Sequence, residues 1–300
     1  MSDHALTFSV SCTGAPTLAA WRETVRATED LGYDSLLLTD HLHQELAPLP
    51  ALVAAAAWTR TLRLGTFVLC QDLRNPAVLA RELASVDILT DGRLDVGLGA
   101  GWYESDYAAA GVAFDPGPVR FARFEETLAI VLGSLADPEF TFHGKFHRCS
   151  KVDGGARSIQ KPRPPVLVGG SRRKMLTLAA QRAEHVNIVA DSPTDFAPAV
   201  LDEKVGWVRA AAGERFASLR FGHVVWECLV TPNPAPVVAA FSASLRCTPE
   251  ELRQNPSLLV GSPSELVDVI LARRERWGFN HVTIPQAAIA SFAAVVAKLR

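Results

Sequence analysis

Neither sign of charge dominates this chain: 30 lysines and arginines stand against 32 aspartates and glutamates over 300 residues. A partner such as nucleic acid or an anionic membrane surface selects for a basic excess, so neither is expected. Cysteine is sparse. The five present (Cys12, Cys70, Cys149, Cys228 and Cys247) are scattered, and no two form a C-x-x-C pair. That distribution argues against a disulfide framework and against a structural zinc site. No apolar run reaches the roughly 18–20 residues that cross a bilayer. The opening "MSDHALTFSV" lacks the basic start and long apolar stretch of a secretory signal. A soluble cytoplasmic protein is therefore expected. Solenoid repeats and low-complexity linkers are missing as well. Apolar residues are plentiful, at 48%, and a chain of this length can bury a large core with them.

Those apolar residues are arranged in alternation. Short β-branched runs recur, each followed by a stretch of helical period. "ALTFSV" precedes a helix over about 17–31, "DSLLL" one over 49–59, and "LRLGTFVL" leads to "NPAVLARELASVDILTDG". In that last stretch Asn75 is placed to cap, Pro76 to open and Gly92 to end the helix. "RLDVGLG" precedes a helix over 119–135. "FTFHGKFHRC" then reads as a hairpin turning at His143-Gly144, and "VDGGARSIQKPRPP" as an irregular excursion. The beat resumes with "VLVGG", "HVNIV", "RFGHVVWECLV" and "HVTIP". Helices are expected over 172–182, 197–212 and 290–300, with two between the last two strands. The second of these two carries a Ser262–Glu265 capping box and ends at Gly278.

Eight strand–helix units imply parallel strands, and eight is the number that closes a (β/α)8 barrel; an open doubly wound sheet is the alternative. The expected organisation is one domain over 1–300 with an insertion around 136–165. In such a barrel the chemistry belongs at the C-terminal strand ends. The second strand ends in Thr39-Asp40-His41, where a carboxylate beside an imidazole suits proton transfer near neutral pH. His43 two residues on invites a metal, but the two rings are expected to point to opposite faces and no carboxylate cluster completes a site, so no metal is expected. "GLGAGW" at residues 97–102 is not G-x-G-x-x-G. Its glycines either make a turn or let a flat ring approach bare backbone. After the fifth strand, Gly169, Gly170 and Ser171 run into Arg172, Arg173 and Lys174, a helix start suited to phosphate or a longer anionic tail. Arg74 and Pro76 are read as fixing a loop, without chemistry.

Five stretches carry a resemblance: "YDSLLLTDH", "LRLGTFVLCQDLRNPAVLARELASVDILTDGRLDVGLGAGW", "FHGKFHRC", "IQKPRPPVLVGGS" and "GSPSELVDVI". In this order they resemble the bacterial luciferase-like flavin and deazaflavin oxidoreductases, and more closely the branch using coenzyme F420. The resemblance implies a luciferase-like TIM barrel with insertions and a tricyclic ring across its mouth. It also implies a bulge in the third strand with a non-prolyl cis peptide near Phe67-Val68-Leu69, at Phe67–Val68 by preference.

Cofactor-binding residues on this reading are Asp40, Phe67, Val68, Cys70, Gly99, Gly101, Trp102, Gly169, Gly170, Ser171 and Arg172. His41 is the expected catalytic proton donor or acceptor, and Asp40 either orients it or contacts the ring. Some relatives carry a carboxylate directly after the G-x-G turn of the fourth strand; this chain has Trp102 there and Glu104 two positions on. The implied activity is F420-dependent hydride transfer to or from a small organic substrate, with an FMN-dependent two-component monooxygenase as the alternative. A homodimer is implied on the same basis.

Overall fold

Alternating strands and helices become a parallel sheet in the computed structural model, which describes residues 5–151, 155–189, 197–245 and 247–300. The elements begin β1 (Thr7–Cys12), α1 (Leu18–Asp30), β2 (Ser35–Leu38), α2 (Pro48–Ala56), β3 (Arg63–Thr66), β4 (Leu69–Cys70) and α3 (Pro76–Leu89). They continue with β5 (Leu94–Gly99), α4 (Glu104–Ala110), α5 (Gly117–Ala136), β6 (Phe142–His143), β7 (Arg148–Cys149), β8 (Val166–Gly170) and α6 (Arg173–Arg182). Then come β9 (His185–Ile188), α7 (Pro198–Ala212), β10 (Arg220–Val224), β11 (Glu227–Val230), α8 (Pro234–Leu245) and α9 (Pro249–Gln254). The chain ends through β12 (Leu258–Gly261), α10 (Pro263–Trp277), β13 (His281–Pro285) and α11 (Ile289–Leu299).

The main sheet runs β3-β2-β1-β13-β10-β9-β8-β5-β4, and β5 pairs with β3 as well. That last pairing closes the ring, which decides for the barrel over the open sheet. β3 and β4 are one stave interrupted at Phe67–Val68, whose peptide bond is cis, at the position the resemblance implied. β2 and β5 are buried along their whole length, as parallel strands covered on both faces must be.

By packing, the chain divides into two compact units, one of Met1–Cys12, Arg26–Leu36 and Gly169–Arg300, the other of Thr13–Val25 and Leu37–Val168. In the second unit Leu64, Leu79, Leu83, Phe124, Leu128 and Val131 are buried in the core. Asn75 caps α3 as expected, accepting from Ala77 N and Val78 N at 3.0 and 3.2 Å. The inserted hairpin pairs Phe142 with Cys149 and His143 with Arg148. Its turn is longer than the expected two residues, closing from Gly144 N to His147 O. Glu126 on α5 sets this shape: its carboxylate accepts the N–H groups of Lys145, Phe146 and His147. Against its own burial, those three donors hold the carboxyl below its ordinary range. The "VDG" of the excursion, residues 152–154, lies outside the described residues. Gln160 then fastens the chain to the end of α3, its N and Nε2 donating to Asp87 at 3.0 and 2.7 Å.

The first unit carries a buried polar cluster on its strands. His281 bridges Thr7 Oγ1 at 2.7 Å and Ser9 Oγ at 2.9 Å, and Ser9 Oγ meets Ser35 Oγ. The His185 ring stands edge-on to His281, 4.4 Å between centroids. One expectation needs correction here. "RFGHVVWECLV" is two strands: β10 stays in the barrel, while β11 leaves it to pair in parallel with β12. β12 was missed because its four residues sit between two helix signals. Val238, Leu252 and Leu258 form a small core there, separate from the barrel's. α10 has the expected Ser262–Glu265 capping box and left-handed Gly278.

Candidate active site

The end of β2 builds the site because it turns at once. Gln44 Oε1 accepts the Thr39 hydroxyl at 2.7 Å and the His41 N–H at 3.3 Å, and Gln44 N reaches back to His41 O at 3.1 Å. His41 and His43 lie on the same side, rings stacked 5.5 Å apart at 24°. This corrects the expected opposite faces: residues two apart on an extended chain share a face. Among the described residues no group of three or more His, Cys, Asp or Glu gathers to hold a metal.

Asp40 and His41, adjacent in sequence, serve different partners. Asp40 is buried and accepts two bonds from the Arg74 guanidinium, at 2.6 and 2.8 Å, and one from Cys70 N at 2.9 Å. Burial opposes the Arg74 charge, but its contacts with Asp40 outweigh this and raise its pKa. Arg74 therefore clamps the end of β2 to the stretch that follows β4, while Asp40 itself holds β4 through Cys70 N, a role missed when Arg74 was read as a loop-fixing residue. Asp40 does not orient His41. That carboxylate is Asp106, in the first turn of α4, whose Oδ2 lies 2.6 Å from His41 Nδ1 and whose Oδ1 accepts Leu42 N at 3.0 Å. His41 Nε2 makes no hydrogen bond among the described residues, and the side chain is 20% exposed. Trp102 and Tyr103 stand edge-on to its ring at 5.6 and 5.4 Å. Trp102 is 67% exposed.

The glycines of "GLGAGW" leave room for the protein's own atoms. A Cβ on Gly97 would lie 1.9 Å from Thr66 O, and one on Gly99 2.6 Å from Val68 Cγ2. Gly101 has φ +77°, and a Cβ there would lie 1.8 Å from the Tyr107 hydroxyl. At all three positions the strand ends pack on the protein's own atoms too closely for a side chain. Phe67 and Val68 remain half-buried beside it. Cys70 is buried with Sγ 3.5 Å from the Tyr107 hydroxyl, which donates to Asp72 at 2.8 Å. Burial raises the Cys70 thiol pKa, so it is no ready nucleophile. Glu104 is exposed in the first turn of α4.

In the other unit, Gly169, Gly170 and Ser171 are half-buried at the end of β8, followed by exposed Arg172, Arg173 and Lys174. A Cβ on Gly170 would lie 2.4 Å from Met175 Cγ, so the turn packs closely on α6. The N-cap residue of α6, Arg172, makes no side-chain capping bond.

Sequence reasoning missed α4 and with it Asp106 and Tyr103. The signal was present in "WYESDYAAAG": acidic residues after a strand end, an alanine run, and a glycine that takes the left-handed C-cap at Gly111.

Fold and site together define a (β/α)8 barrel bearing an imidazole–carboxylate pair where barrels do their chemistry. Residues 5–245 match the luciferase-like monooxygenase family, and the chain belongs to it. It is similar to the F420-dependent glucose-6-phosphate dehydrogenase of Beutenbergia cavernae, 35% identical over 127 residues covering 40% of this chain and 38% of that protein. It is also similar to the FMNH2-dependent dimethylsulfone monooxygenase of Pseudomonas putida, 30% identical over 142 residues covering 47% and 38%. The chain thus spans well under two thirds of the length of these curated relatives. The coenzyme F420-dependent tetrahydromethanopterin reductase of Methanopyrus kandleri shares the fold, with a TM-score of 0.78, 18% identity, and coverage of 99% and 100% of the two chains. The family thus includes both F420-dependent and FMN-dependent enzymes. Among the described residues no helix is long and apolar enough to cross a membrane.

Proposed function

We propose that this protein is an F420-dependent oxidoreductase that moves a hydride between the deazaflavin ring and a small organic substrate. The observation that carries the proposal is His41: an imidazole with one nitrogen held by a buried carboxylate and the other, among the described residues, unpartnered beside an exposed indole. An open aromatic wall and an available proton site fit a planar redox cofactor better than they fit a structural histidine. When bound, the cofactor supplies the hydride chemistry itself. The chain's residues do the rest. Phe67, Val68 and Trp102 would hold the ring, and Asp40, held by Arg74, keeps Cys70 and the end of β4 in place. Gly99 and Gly101 let the strand ends pack closely enough to present that surface. Gly169, Gly170, Ser171 and Arg172 take the phosphate, and Arg173 and Lys174 favour the longer acidic tail of F420 over the single phosphate of FMN. His41 exchanges a proton with the substrate.

The second reading, an FMN-dependent monooxygenase, is supported by the likeness to the dimethylsulfone enzyme. A thermal-shift titration separates the two, since only a bound cofactor stabilises. Stabilisation by F420 is expected; stabilisation by FMN and none by F420 would refute the proposal. Substituting His41→Ala should leave F420 affinity intact while turnover falls about 10²–10⁴-fold. Unchanged turnover would remove His41 from the reaction.

A further inference from the structure

We infer that Asp106 is the positioning residue of this site: it fixes His41 in the tautomer protonated at Nδ1 and so keeps Nε2 as a proton acceptor. The inference rests on the proton-transfer role proposed for His41. An ionised carboxylate offers only lone pairs. Asp106 spends Oδ1 on the Leu42 N–H and Oδ2 on His41 Nδ1, so the hydrogen between them belongs to the imidazole.

Both halves of the pair are held. Asp106 is 5% exposed, and its neighbour Tyr107 locks α4 through a buried ring and a hydroxyl bonded to Asp72. On the other side Gln44 fixes the backbone turn from which His41 projects. Among the described residues no other nearby carboxylate is placed for the task. Asp40 has its oxygens committed to Arg74 and Cys70, and Glu104 is exposed.

The chemical consequence is specific. A proton on a substrate heteroatom passes to Nε2: the heteroatom–H bond breaks and an Nε2–H bond forms. The positive charge so created on the ring lies 2.6 Å from a buried anion, which stabilises it where little water competes. The reverse step returns the proton, and neither step draws on any further reactant.

Asp106→Asn is the informative variant. The two side chains have nearly the same shape, and the amide oxygen can still accept from Leu42 N. The amide NH2 then faces Nδ1 and demands an acceptor there, which drives the ring proton to Nε2. The readout is the 15N NMR spectrum of the full-length chain with labelled histidine, assigned through His41→Gln, at a pH of about 8.5, where histidines are ordinarily neutral. Wild type should show Nδ1 protonated and Nε2 bare. Asp106→Asn should show the reverse, and Asp106→Glu should restore the wild-type pattern. Turnover of Asp106→Asn should fall about 10²–10⁴-fold with F420 affinity unchanged. A wild-type ring protonated at Nε2 would overturn the inference even if the Asn variant failed to fold, and so would an unchanged tautomer in a folded Asn variant. Full turnover in His41→Ala beside the expected tautomers would instead overturn the proton-transfer role and leave the tautomer assignment standing.

Discussion

Cutting Arg74 back to Ala should destabilise the protein by about 3 kcal/mol, the lower end of the range for breaking a buried ion pair by removing one partner. The value follows from the geometry. Asp40 has a side chain 5% exposed and would keep one bond, from Cys70 N, after losing two to the guanidinium. Arg74 is itself 23% exposed, so water can enter and solvate part of the abandoned carboxylate, which sets the loss at the low end. Arg74→Lys keeps the charge but not the two-pronged contact and should cost about half as much. The assay is urea unfolding, with a shift in midpoint at constant slope. A cycle adding Asp40→Asn isolates the pair: the double variant should be more stable than the sum of the singles by about 2 kcal/mol, because the second change removes the buried charge that the first exposed. An additive cycle, or a loss below about 0.5 kcal/mol in Arg74→Ala, would refute the clamp.

Three further outcomes are expected. Acid should destabilise the protein from about pH 6.5 downward, because His185, His223 and His281 are buried and their folded-state pKa values are lowered, chiefly by burial. The unfolded chain binds protons there that the folded chain refuses. With His223 lowered to about 3, its share of the loss by pH 5 is about 2 kcal/mol, and a His223→Leu variant whose stability fell just as steeply between pH 7 and 5 would contradict this. Gly101→Ala should cost about 2–4 kcal/mol, since it places a Cβ at positive φ and into the Tyr107 hydroxyl. Removing that hydroxyl with Tyr107→Phe should recover part of the loss in the melting temperature, and no recovery would place the cost elsewhere. Gly170→Val should weaken F420 binding in a fluorescence-quenching titration, because the added bulk pushes into Met175 and displaces the turn; equal affinity would move the phosphate from this turn.

Much of the barrel was legible because its signals are local. Pro76 after Asn75, Ser262 before Glu265, and Gly278 past Trp277 mark helix ends by the chemistry of single residues, and each is found where that chemistry requires. The apolar runs marked the staves for the same reason. What escaped was non-local. β11 and β12 define each other only by pairing, and neither run alone says that it has left the barrel. The short helix α4 is the exception, since its acidic first turn and left-handed Gly111 are local signals.

The site obeys the same division, and its adjacent residues show why. Asp40 and His41 invite reading as a pair because they touch in sequence, yet consecutive side chains leave an extended backbone on opposite sides. Each then finds its partner far along the chain: Arg74 is 34 residues from Asp40, and Asp106 is 65 from His41. A polar dipeptide at a strand end therefore announces two contacts rather than one. Here one of them holds the scaffold, in the Asp40–Arg74 clamp, and the other leaves an imidazole nitrogen available for chemistry. Had the two residues bonded to each other, the end of β4 would have lost its anchor and His41 the buried carboxylate at its back.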